Sequence, residues 1–182
     1  MPNRVHDAFA PLLGRPAWQV RKGHGSFLTM EFGDPHLEVR APSPAAMESS
    51  EAVRKLAAKR IVTVRGAWHL WIYCCHWKIT REGILEAEDE STDHAIMHAA
   101  AFLDGQILDS VAVQSASATV FRFDLGGTLS THPYAEGGED EQWLLYEPTG
   151  TVLSVRGDGK CFRGPGDTPP EDERWTSPTD AV

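Results

Sequence analysis

Cysteine is scarce in this chain: three among 182 residues, two of them the adjacent pair Cys74 and Cys75. An odd count of this kind does not build a disulfide framework, so the three read as thiols in a reducing compartment. Long apolar runs are missing as well. No stretch approaches 18 consecutive apolar residues, and no membrane-spanning helix is expected. The first residues, with Asp7 among them and proline at Pro2 and Pro11, lack the apolar region of a secretory signal. A soluble, cytoplasmic protein is the expectation. Basic residues are in deficit, 17 against 26 acidic ones, for a formal charge of −9. Contact with phosphates needs a basic face, so nucleic acid is not an expected partner, and neither is a membrane.

Catalytic signatures are absent too. His94 and His98 stand four apart and would share a helix face, but position 95 is alanine where a metalloprotease helix carries its glutamate. His69, His76, Cys74 and the acids Glu88 to Glu90 are the other ligand candidates. Ordinary solvated histidines account for the pattern better, so no metal and no cofactor is favoured. Cys74 and Cys75, being neighbours in a strand, point to opposite faces and have neither the C-x-x-C spacing of redox motifs nor that of zinc knuckles. Cys75 with His76 or His69 as base is the one thiol arrangement to consider. The glycine-rich pieces at 23–26, 126–127 and 157–159 lack a lysine and serine or threonine ending, and read as turns.

What is present suits a globular domain. A chain of this length buries roughly 70% of the surface its unfolded form exposes, and 41% hydrophobic residues with six Trp and seven Phe can fill a core. Charge is divided unevenly: residues 1–81 sum to +6 and residues 82–182 to −15. Segments 17–21, 26–32 and 36–40, separated by Gly and Pro turns, predict a three-stranded antiparallel meander. A loop at 41–50 leads to an amphipathic helix over 51–60 with Val53, Leu56 and Ala57 on one face. Residues 61–65 and 68–79 read as strands. In the second, both alternating sets are apolar or aromatic, which predicts a central strand covered on both sides, with Trp68, Trp71, Tyr73 and Trp77 in the core.

Residues 94–104 form the second helix. Ser91, Thr92 or Asp93 caps it, Ile96, Ala99, Ala100 and Leu103 face inward, and Gly105 stops it. A short turn over 8–13 capped by Asp7 precedes the first meander, and strands at 107–113, 118–124, 128–132, 142–147 and 151–156 make a second. The expected fold is α+β: a predominantly antiparallel β-sheet of two meanders packed with two main helices, in one domain over 1–163, with an irregular tail over 164–182.

The strings LLGRPAW, GHGSFLTMEFGDPHLEVR, GAWHLWIYCCHW, FDLGG and WLLYEPTG resemble an uncharacterised family of bacterial proteins over most of the chain, a resemblance that implies no activity. The last third, with its Gly-Gly turn, W-L-L-Y and P-x-G, resembles small α+β immunity-type proteins that neutralise toxins. The functional expectation is a noncatalytic protein-binding module of immunity or inhibitor type, with a basic protein as partner. Its docking surface is assigned to the acidic loop 134–141 and its flank: Glu136, Glu139, Asp140, Glu141 and Trp143. The alternative is a small metal-dependent or thiol enzyme using His and Cys of the strand 68–79 and the helix 94–104. Oligomeric state is left open.

Overall fold

The computed structural model describes residues 3–44, 49–114 and 118–179. Helix α1 (Arg4–Phe9) starts on Asn3, whose side-chain oxygen accepts the amides of Val5 and His6. Those amides would otherwise lack partners at the helix start. Asparagine thus takes the role expected of Asp7, which lies inside the helix, and Pro11 falls in a following 3-10 turn, Ala10–Leu12.

Strands β1 (Trp18–Lys22) and β2 (Leu28–Phe32) pair antiparallel, but the third strand of the expected meander does not join them. At Gly33, with φ of +76°, the chain turns away, and β3 (His36–Arg40) pairs instead with β4 (Ile61–Arg65) as a separate two-stranded ribbon. Between them sits α2 (Glu51–Ala57), capped by Ser50 and braced by a Lys55–Glu51 ion pair at 2.7 Å. Its apolar face meets no core, since no residue of α2 is buried. Of the loop expected at 41–50, residues 45–48 lie outside the described residues.

Strand β5 (Trp68–Ile72) takes the place beside β2 that β3 leaves. The crossing from β4 needs Gly66: a Cβ there would lie 2.5 Å from the carbonyl oxygen of Phe32. The single strand expected over 68–79 is divided. The Cys75 amide bonds back to the Tyr73 carbonyl at 3.1 Å, and past this bend β6 (His76–Arg81) enters a different sheet. That sheet contains β6, β7 (Ile84–Glu88), β8 (Leu108–Val113), β9 (Thr119–Phe123) and β10 (Gly127–His132) in the order β7-β6-β10-β9-β8. The other has six strands, β1-β2-β5-β11-β12-β13, the last three being β11 (Glu141–Tyr146), β12 (Thr151–Arg156) and β13 (Cys161–Pro165).

The two sheets share one core. Phe9 of α1, Phe121 of β9 and Trp143 of β11 meet edge to face with centroids 5.6–5.8 Å apart, a favoured ring geometry. The Trp143 indole donates to Thr119 Oγ1 at 3.1 Å, so its one polar group is satisfied inside. Helix α3 (Asp93–Leu103) is capped by Thr92, buries Ile96, Ala99, Ala100 and Leu103 as its periodicity predicts, and ends at Gly105 with φ of +88°. It packs on β1 and β7, an edge strand from each sheet. The fold is therefore α+β with antiparallel sheet, richer in sheet than expected, and α3 is the one of the two expected main helices that packs into the core.

The chain after β13 returns along the sheet. Thr176 and Cys161 exchange both backbone bonds, Trp175 lies 5.9 Å from the Phe162 ring, and the Arg4 amide donates to the Pro178 carbonyl. Residues 180–182 of the expected tail lie outside the described residues. Among the described residues no helix is long and apolar enough to cross a membrane.

Candidate binding face on the six-stranded sheet

Alternation along a strand sends successive side chains to opposite faces. In β2, β5 and β11 one set, Leu28, Met30, Leu70, Ile72, Trp143 and Leu145, is fully buried between the sheets. The other set faces away from that core and is brought into rows by the register: Glu31, His69 and Tyr146 in one, Thr29, Trp71 and Leu144 in the next. Phe27, Trp71 and Tyr73 make ring contacts with centroids 4.6–5.9 Å apart, and His69 lies 5.7 Å from Tyr146. All five of these rings are half-buried. Trp71 and Tyr73 are therefore not the core side chains expected of them, whereas Trp77 is fully buried.

Glu31 is the buried charge of this face, 1% exposed. Its Oε1 lies 2.9 Å from His69 Nδ1 and accepts from Arg65 Nη1 at 3.0 Å, and its Oε2 accepts the Gly66 amide at 3.0 Å. Burial alone would raise the carboxyl, but the bonds from His69, Gly66 and Arg65 outweigh it and hold it below its ordinary value. Arg65 in turn reaches Glu38 of β3 at 3.0 Å. The cluster thus has a structural task, joining the root of the β3–β4 ribbon to the sheet. His69 Nδ1 faces the Glu31 carboxylate at 2.9 Å and Arg65 Nη1 at 3.3 Å; the tautomer with its hydrogen on Nδ1 donates to Glu31 and leaves Nε2 as an acceptor.

Above this floor opens a pocket of about 580 Å³, lined among others by His36, Glu38, Arg65, His69, Trp71 and Tyr146. Burial pushes the Tyr146 hydroxyl up, so it stays a donor at neutral pH. Glu147 at the rim is neutralised by Arg163, which donates to both of its oxygens at 2.8 Å. Aromatic faces with a few convergent polar groups are the ordinary make-up of a recognition site.

The residues singled out from sequence do not come together. His69 belongs to this pocket. His76 is elsewhere, its Nδ1 2.9 Å from Asp89 Oδ2 and its ring perpendicular to Tyr134 at 4.7 Å. His94 and His98 are exposed on α3, with His98 3.8 Å from Glu86. Among the described residues no group of three or more His, Cys, Asp or Glu is placed to hold a metal ion. Cys75 is buried, its Sγ donating to the Gln142 carbonyl at 3.3 Å, and burial pushes its thiol above the ordinary value.

The acidic loop is also different from the expectation. Glu136, Glu139 and Asp140 are exposed, Glu139 reaching Arg156 at 3.1 Å, whereas Glu141 is half-buried and accepts from the Ser154 hydroxyl at 2.6 Å. Trp143 is fully buried and open to no partner, because its side of β11 faces the core against Phe9, Phe121 and Thr119. Beside the loop, burial works against ionisation of Asp158, but bonds from Arg156 and Lys160 hold its carboxyl down at about 2.

Glu31, Arg65, Phe27 and Tyr146 are the residues of this face that sequence reasoning did not single out. The available signal was a carboxylate inside the otherwise apolar strand LTMEF. No protein-family model matches the chain, and no curated protein or solved structure matches it significantly. The reading of the site accordingly rests on its own geometry.

Proposed function

We propose that this chain is a noncatalytic protein-binding module of immunity or inhibitor type, gripping a basic segment of its partner with the outer face of the six-stranded sheet. The observation that carries the reading is the set of half-buried rings, Phe27, Trp71, Tyr73 and Tyr146, gathered on one sheet face beside the pocket. Half-exposed tryptophan and tyrosine are the side chains that dominate interface energetics, and their faces attract Lys and Arg. Exposed carboxylates at Glu38, Glu136 and Asp140, on a chain of net charge −9, supply the longer-range attraction for a basic partner.

The test is co-purification of the tagged chain from its source cells, comparing Trp71→Ala/Tyr73→Ala with Glu136→Ala/Asp140→Ala. Loss of a stoichiometric basic protein in the first, by roughly 30-fold or more in affinity, with milder and salt-dependent weakening in the second, supports the reading. Retention by the ring variant and loss by the loop variant moves the surface to residues 134–141. One observation favours a second reading, an acid–base enzyme: Glu31 fixes His69 as a carboxylate orients a catalytic imidazole. Retained partner binding in His69→Gln separates the two readings, since the binding module relies on the rings.

A further inference from the structure

The outer face of the five-stranded sheet brings together two histidines that lie far apart in the sequence. His132, the last residue of β10, stands directly opposite His76, the first of β6. Opposed residues of antiparallel strands share a face, with Cβ atoms about 4.5–5.5 Å apart. Thr131 and Trp77, the next pair in the same register, are fully buried, so His132 and His76 face solvent, and both are exposed. Two imidazoles at this spacing can converge on one metal ion at about 2.0–2.1 Å from each nitrogen.

One of the pair is held in place. His76 Nδ1 lies 2.9 Å from Asp89 Oδ2, and Asp89 is itself fixed to the strand: its Oδ1 accepts the Trp77 amide at 3.2 Å, and its own amide donates to the Trp77 carbonyl at 3.1 Å. The Tyr134 ring stands perpendicular to the imidazole at 4.7 Å. The tautomer that donates from Nδ1 to Asp89 leaves a lone pair on Nε2. An imidazole tied to a carboxylate through one nitrogen is the usual form of a metal-ligating histidine.

The other histidines lack this combination. On α3, His98 is 3.8 Å from Glu86, whose carboxylate is already taken by Arg81 at 2.8 Å. His69 has a carboxylate in Glu31, but Arg65 Nη1 lies 3.3 Å from the same ring nitrogen and opposes a cation there. Lys78, two residues along the face from His76, is drawn to Glu88 at 3.3 Å. We propose that His76 and His132 bind one divalent transition-metal ion of the zinc and copper kind, with Asp89 as positioning residue and water completing the coordination. Imidazole nitrogen suits these ions, whereas magnesium and calcium take oxygen. Two protein ligands fall short of the three or four of a catalytic or structural zinc centre, so the site is open and exchangeable. It is independent of the binding reading, whose rings belong to the other sheet.

Calorimetric titration of the chelator-treated full chain with Zn2+ and with Cu2+, beside NMR of the imidazole nitrogens, tests it. One ion per chain is expected, with the His76 and His132 signals moving together, and Mg2+ should not bind. His132→Ala changes a side chain already in water, so it should keep the circular dichroism of the wild type and weaken Zn2+ by about ten-fold or more. Asp89→Asn retains both ligands and should weaken it by about 10- to 100-fold. A wild type that binds neither ion overturns the proposal, as does binding indifferent to His132→Ala or lost instead in His94→Ala/His98→Ala. Unchanged affinity in Asp89→Asn overturns the positioning role. Trp71→Ala/Tyr73→Ala should bind the metal as the wild type does, which keeps this outcome distinct from that of the binding reading.

Discussion

The inner and outer faces of the six-stranded sheet are made by the same strands, one residue apart, and they differ in nearly every physical respect. Inside, Leu28, Met30, Leu70, Ile72, Trp143 and Leu145 are sealed from water, and the lone polar group among their side chains, the Trp143 indole, has its partner in Thr119. Outside, aromatic rings are half in water, and a buried carboxylate is balanced by Arg65 and His69. The inner face has given up all accessibility in exchange for stability. The outer face keeps its apolar area partly uncovered, which is unfavourable in isolation and would be relieved by the partner proposed for it.

Truncating one tryptophan on each face should break this symmetry of backbone most visibly. Trp143→Ala removes the ring that joins Phe9 and Phe121 and strands the Thr119 hydroxyl, so chemical denaturation should show a loss of about 3–5 kcal/mol. Glu31→Ala comes next, at about 2–3 kcal/mol, because it leaves Arg65 and His69 without their shared acceptor, discounted for the partial exposure of Arg65. Trp71→Ala should cost the least, about 0.5–1.5 kcal/mol, the range for lost ring contacts at a half-open site, while removing partner binding. A Trp71 variant as unstable as the Trp143 variant would make the outer face a second core.

Acid sharpens the same contrast. Glu31 has its folded value lowered, so its bonds contribute stability in full above the ordinary carboxyl value of about 4.5, and that contribution disappears as pH falls through the lower folded value. Asp158 behaves alike further down, its contribution lost between about pH 4 and about 2. Unfolding free energy measured across this range should fall less steeply in Glu31→Ala than in the wild type. An identical slope would show that Glu31 is not ionised and paired as described.

Local pattern made some of this legible. Helix α3 could be read with its buried positions, because Ile96, Ala99, Ala100 and Leu103 follow helical spacing between a cap and Gly105. The succession of strands at 142–147 and 151–156 was likewise local, and the Gly150 amide closes the turn between them on Glu147. What escaped was non-local. Both alternating sets in 68–79 are apolar, so nothing in that run marks the bend at Cys75 where one sheet is left for another. That β3 prefers β4 to β2 depends on which strands compete for an edge, and β5 wins a place from a distance of many residues. Glu31 and His69, 38 residues apart, face each other because of that substitution. Trp143 was misread because its neighbours in sequence are acidic, whereas its neighbours in space are Ile72, Val155, Phe9 and Phe121.

The most direct measurement is side-chain footprinting by hydroxyl radicals of the chain alone and with its co-purified partner. The binding face predicts protection of Phe27, Trp71, Tyr73 and Tyr146, with no change at Trp143, which is closed to solvent in both states. Unchanged oxidation of those four rings, or protection confined to residues 134–141, would contradict it.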